Sequence, residues 1–155
     1  MAETAHEVPA ALYGTWQQIS GTVVEADSGV ERSNLSAAPN GYACFSPDGR
    51  VMVMSFDSAR PRPAGPVPNA AEAEALFRGI ICYAGWFTVA GNRILYDVDA
   101  SWNQAWTGTR QERFWELQGD RLTVSTPEIV NPLTGRRSIH RLTFRKVAPR
   151  GAAQG

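Results

Sequence analysis

Two aspartates, an arginine and a histidine are the residues of this chain best suited to chemistry. Asp97 and Asp99 stand two apart in "RILYDVDASW", Arg113 lies in "TGTRQERFWELQG" and His140 in "SIHRLTFRKV". Residues two apart in a strand share a face. If that face lines an enclosed hollow, one carboxylate can take a proton or orient a water. Arg113 can hold it ionised and stabilise negative charge developing on a substrate. The second carboxylate, kept protonated by burial, or His140, can give a proton back. This set suits isomerisation, cyclisation, dehydration or epoxide opening of a small molecule, with no cofactor. The same Asp97–Arg113 pair also reads as a buried ion pair tying neighbouring strands, and a lone inward histidine as a core residue bonded to its neighbour. Asp97, Asp99 and His140 could supply three metal ligands, but an arginine beside them argues against a cation, so no metal is expected.

Other chemistries lack their signatures. There is no Gly-x-Ser-x-Gly elbow, no phosphate-cradling Gly-rich loop and no useful Cys–His spacing. Cys44 and Cys82 sit in apolar runs and read as reduced, buried small hydrophobes; a disulfide between them is the alternative and would need an oxidising setting. With 15 basic and 15 acidic residues and no basic run interleaved with aromatics, nucleic acid is not an expected partner. No apolar stretch approaches the roughly 20 residues that span a bilayer, so no membrane is expected. The N-terminus has no positive segment followed by an apolar one, which points to a cytoplasmic protein.

The elements that must position these residues are mostly strands. Turns at "SPDG", "AGN" and "QGD" separate short runs rich in β-branched and aromatic residues. Strands are expected near 14–25, 41–46, 50–56, 81–89, 93–102, 107–118, 121–126 and 138–147, with a short one near 29–36. Many strands joined by tight turns predict an all-β antiparallel meander, closed as a barrel or paired as a sandwich. The one helical segment, "NAAEAEALFRG", opens on Asn69 as N-cap and stops at Gly79. Before it, four prolines in "ARPRPAGPVP" exclude helix and central strand and leave a loop over 59–68, either a lid or a connector. Residues 1–11 and 148–155 read as tails around one domain over 12–147.

Alternation suggests which side chains face inward. On "TGTRQERFWELQG", Gln111, Arg113, Trp115 and Leu117 oppose a mostly charged set that includes Arg110. On the last strand His140 shares the apolar half with Leu142 and Phe144. The run "CYAGWFTV" is apolar on both sides, and Tyr83 with Phe87 is taken as inward. A carboxylate or an arginine buried alone is costly, so Asp97 and Asp99 are expected inward beside Arg113. Ile94, Tyr96, Val98 and Trp102 would then face out and need cover from the helix or from a second subunit, making a homodimer one expected form. Tyr42, Met52, Met54, Phe87, Trp106 and Trp115 are available as an apolar cavity wall.

The chain resembles the bacterial lipocalin-like domain family, small β-barrels distinct from the secreted lipocalins. The resemblance rests on "LYGTWQQIS", "GYACFSPDGRVMVM", "AEALFRGIICYAGWFTVAGNRI", "WTGTRQERFWELQGDRLTVSTP" and "RLTFRKV", in the family's order over roughly Leu12 to Val147. It implies an up-and-down barrel of about eight strands around a central cavity, with Gly14 and Trp16 helping to close the floor. Gln111 and Arg113 match the family's inward Gln-x-Arg. Asp97 stands where the family usually has histidine, Asp99 where it has an acid or another polar residue, and His140 where a small polar residue is common. The resemblance carries over no assigned activity.

Two functional readings stand side by side. One is an enzyme acting through Asp97, Asp99, Arg113 and His140 on a small, largely apolar or aromatic molecule, with Tyr83 and Gln111 in support. The other is a non-catalytic binder using the same cavity. A third, an interaction module, predicts a filled cavity and an exposed apolar patch at Tyr96 and Trp102.

Overall fold

The computed structural model describes residues 7–34 and 39–151. After a 3-10 turn at Ala10–Leu12, the chain forms β1 (Gly14–Glu25), β2 (Glu31–Ser33), β3 (Pro39–Phe45), β4 (Arg50–Asp57), α1 (Ala70–Arg78), β5 (Ile80–Ala90), β6 (Arg93–Ser101), β7 (Arg110–Gln118), β8 (Arg121–Ser125), β9 (Ile129–Val130) and β10 (Arg137–Lys146). Every pairing is antiparallel. The order β1-β3-β4-β5-β6-β7-β8-β10 closes on itself because β10 pairs back onto β1, which gives an eight-strand barrel. Two short strands lie outside the ring, β2 on β1 and β9 on β10. Closure leaves no edge strand within the ring, and each strand must put alternate side chains inside.

The floor of the barrel is packed solid. Gly14 has φ of 120°, a conformation that glycine adopts without steric cost, and a Cβ there would crowd the Lys146 side chain. Trp16, two residues on, is fully buried and donates its indole N–H to the Leu12 carbonyl at 2.8 Å. Lys146 Nζ lies 4.7 Å from the Trp16 ring centre and donates to the Ala11 and Tyr13 carbonyls. Above Trp16, Phe45 meets Phe87 edge-on at 5.1 Å, and Phe45 lies 6.4 Å from Tyr96. Such aromatic pairs add about 0.5–1.5 kcal/mol each beyond the area they bury. Leu12, Val51, Ile94 and Leu122 fill the remaining space.

The other end is dressed by α1 and the turns at 102–109. Asn69 caps α1 by accepting from Glu72 N–H, and Glu72 accepts from the Asn69 backbone in return. Phe77 of α1 reaches Trp102, which meets Trp106 edge-on at 5.2 Å; Trp106 in turn lies 5.4 Å from Tyr83. The proline-rich loop is tied to this end. Ala64 N–H donates to Glu72, and Arg60 stacks on Phe56 at 4.6 Å. None of its residues lines the barrel cavity. The expected strand over 107–118 begins only at Arg110, because 102–109 turn repeatedly to deliver Trp106. Part of the short strand expected near 29–36 falls outside the described residues.

Several expected orientations are overturned. Asp97 and Asp99 point outward, and Ile94, Tyr96 and Val98 are the buried face of β6. Burial of three large apolar side chains outweighs any gain from pairing the acids with Arg113, because arginine partners are available outside. A bulge reinforces this: Gly85 opposes Val98 while Ala84 opposes Ala100, so Asp99 is the extra residue and Asp99 and Ala100 are both exposed. No cover over Tyr96 is needed. Tyr42, Met52 and Met54 also lie on the outer wall, since the β-branched Val51 and Val53 occupy the inner positions of β4. Cys44 and Cys82 are half-buried on that wall and free. Cys44 opposes Met52 and Cys82 opposes Met54, so β4 lies between them. Two strand spacings are about 9–10 Å, beyond the reach of a disulfide.

Candidate functional site

Above the aromatic floor the barrel is open. Val53 and Ser55 of β4, Ile81 and Tyr83 of β5, Arg113 of β7, Val124 of β8, and His140 and Leu142 of β10 face one cavity, with Thr126 next to them. Trp106, Asn34, Ile129 and Pro132 complete its wall from irregular or short segments. The cavity spans about 510 Å³, counting the part open to solvent. Each strand contributes through its period of two, so the wall is a direct product of alternation.

Arg113 dominates the electrostatics. Ile94 stands opposite it on β6, and its residue exposure is only 5%. One guanidinium N–H donates to the Glu112 carbonyl at 2.8 Å, and the Tyr96 and Trp106 rings stand 5.9 and 5.7 Å from its carbon. Among the described residues no carboxylate pairs with it. Its expected partners are engaged elsewhere. Asp97 takes two N–H donors from Arg110, at 2.7 and 3.0 Å, and Asp99 takes two from Arg50, at 2.5 and 3.0 Å. These guanidinium bonds hold both carboxyls below their ordinary range, in ion pairs on the outer surface.

His140 is the second polar anchor. Its Nε2 lies 3.0 Å from the Ser138 hydroxyl, and its backbone N–H donates to Thr126 Oγ1 at 3.0 Å. Burial, reinforced by the Arg113 charge, pushes its pKa down to about 4. The imidazole is therefore neutral near neutral pH and adds no second positive charge. Gln18, also buried, accepts from the Ser55 hydroxyl at 2.6 Å, while its amide nitrogen has no partner among the described residues.

The structure thus brings Arg113, His140, Tyr83 and Trp106 to one cavity and leaves Asp97, Asp99, Tyr42, Met52 and Met54 outside it. Gln111 is half-buried on the expected side but donates to Thr109 Oγ1 and does not line the cavity. Phe87 belongs to the filled floor, and Trp115 packs against the core with its N–H on the Gly91 carbonyl. Leu142 lines the cavity from the face expected to turn inward, and alternation along "RLTVST" carries Val124 and Thr126, which were not anticipated; Val53 and Ser55 lie on a strand apolar on both faces, where alternation does not choose. Asn34, Ile129 and Pro132 sit in segments with no period to read. Among the described residues no group of three or more His, Cys, Asp or Glu side chains could hold a metal.

The lipocalin-like domain model matches residues 13–147, the whole barrel. The chain belongs to the lipocalin-like domain family. Among solved structures, a lipocalin-like protein from Bacteroides uniformis is similar, at 15% identity and a TM-score of 0.48, over 89% of this chain and 100% of that one. No curated protein matches the chain. Among the described residues, no helix of this lipocalin-like barrel is long and apolar enough to cross a membrane.

Proposed function

We propose that this lipocalin-like barrel binds a small, largely apolar molecule in the upper half of its interior, without transforming it. The observation that carries this reading is the division of the barrel: aromatic side chains fill the floor, while a space lined by Tyr83 and Trp106 stays open between valine, isoleucine and leucine walls. A core built only for stability would close that space, since unfilled volume costs packing energy. A mostly apolar wall with a few convergent polar groups is the usual composition of a small-molecule site.

Acid/base catalysis by aspartate has no support in the geometry. Both carboxylates are outside, and the imidazole that remains inside is a weak base with its pKa near 4. The test is fluorescence of the neutral, environment-sensitive dye N-phenylnaphthylamine with the purified full chain. The wild type should brighten the dye saturably, and Val124→Trp, which fills the cavity from β8, should abolish this while still unfolding cooperatively. A wild type that leaves the dye dark, or a Val124→Trp variant that binds it equally, would overturn the reading.

A further inference from the structure

We infer that the molecule this cavity takes carries a carboxylate, and that Arg113 receives it. The inference rests on the binding reading above and names the chemical class of the ligand.

A guanidinium stays charged at every accessible pH, so burial cannot neutralise it. Buried charges are normally paired. Arg113 is buried and faces a cavity in which no other side chain except the neutral His140 can carry charge near neutral pH by acid or base ionisation of ordinary range. The chain has acids near enough on the same sheet to be candidates, yet each is taken. Arg110 holds Asp97, Arg50 holds Asp99, Arg93 holds Glu112, and Arg32 with Arg136 holds Glu25. One N–H of Arg113 is used by a backbone carbonyl, and two aromatic rings stand near the cation at longer range. The rest of the planar fork finds no protein acceptor among the described residues. A carboxylate matches that fork with two parallel N–H···O bonds.

The walls select what the carboxylate is attached to. Val53, Ile81, Val124 and Leu142 offer contact but no hydrogen bonds, and the Ser55 hydroxyl is already given to Gln18. An inorganic anion would lose most of its hydration shell against these side chains, with the Arg113 fork and a few neutral donors as replacement. A monocarboxylate with a short hydrocarbon or aryl body satisfies both halves: its acid meets Arg113 and its body meets the walls. His140, uncharged and bonded to Ser138, adds bulk and dipole beside the acid without competing for it as a second ion.

The experiment compares phenylpropionate with phenylpropanol, which share a body and differ in the acid, by ligand-observed NMR titration near neutral pH, alongside sodium sulfate and N-phenylnaphthylamine. In the wild type the acid should bind at least about tenfold more tightly than the alcohol, a difference of about 1.4 kcal/mol, and sulfate should not displace it. Arg113→Met should make acid and alcohol equal, with cooperative urea unfolding as the check that the variant folds. Arg113→Lys, which keeps the charge but not the fork, should retain part of the preference. Equal affinities in the wild type with the dye still bound would overturn the carboxylate and leave the binding reading standing. Displacement by sulfate, or a preference that survives in Arg113→Met, would also overturn it. If neither the dye nor either ligand binds, the binding reading falls and the carboxylate with it. Should Arg113→Met fail to fold, the wild-type comparison and Arg113→Lys decide the matter.

Discussion

Acidification should begin to loosen this barrel above the pH at which carboxylates titrate, through His140. In the folded state burial and the Arg113 charge push its pKa down to about 4, from an ordinary value of 6.5. Protonated His140 is thus disfavoured in the barrel but not in the unfolded chain. The unfolded state binds more protons below neutral pH, so stability falls as pH falls. The loss begins near 6.5 and is complete once pH passes below about 4. A gap of about 2.5 pKa units, at about 1.4 kcal/mol each, comes to about 3 kcal/mol. That is a large part of the roughly 5–15 kcal/mol that holds an ordinary domain together. Urea unfolding followed by tryptophan fluorescence, from about pH 7 to about pH 3.5, measures it. His140→Gln, which can still bond the Ser138 hydroxyl, should be nearly flat over the upper part of that range. The imidazole proton signal missing from His140→Gln identifies the residue by NMR and should titrate in the wild type with a midpoint near 4. In Arg113→Met the midpoint should rise, because a nearby positive charge has been removed. Parallel stability curves for wild type and His140→Gln, or a midpoint near 6.5, would refute the buried, Arg113-facing placement of His140.

The ion pair of Asp97 is half-exposed and should matter little. Asp97→Asn should leave the melting temperature within about 2–3 °C and dye binding unchanged; a loss of binding would return the carboxylate to the cavity. Gly85→Ala should be severe, because a Cβ there would sit 2.1 Å from the Asp97 carbonyl oxygen across the bulge. Its expected cost is at least about 2 kcal/mol in urea unfolding, and a neutral result would refute the close approach of β5 and β6. Trp16→Ala should cost about 3–5 kcal/mol, since it empties a fully buried site and strands the Leu12 carbonyl; a loss under about 1 kcal/mol would mean the floor is not closed by this side chain.

Much of the barrel was legible because its strands alternate between two chemically different faces. On β7 the set Arg110, Glu112, Phe114, Glu116 is mostly charged, so Gln111, Arg113, Trp115 and Leu117 turn inward, as expected. On β10 the same logic placed His140, and the helix was read from its cap and stop. Where both faces are apolar, alternation has nothing to choose between. On β4 Val51 and Val53 went in and Met52 and Met54 out, and no single-strand pattern could have said so. The short β9 leaves too few residues for any period. The inversion of β6 has a different origin. Ile94, Tyr96 and Val98 mark the inner face plainly, whereas the cost of an unpaired buried Arg113 argues for the opposite one. Cross-strand pairing removes the conflict: Asp97 stands opposite Arg110, and directly opposed residues share a face, so the outward arginine carries the aspartate out with it. That register depends on the turns at 102–109, whose length the sequence pattern does not determine. A guanidinium in such a place calls for an anion, but that anion need not belong to the same chain. With Asp97, Asp99, Glu112 and Glu25 committed to other arginines, the charge expected to pull two aspartates inward is the feature on which the proposed preference for an acid from outside rests.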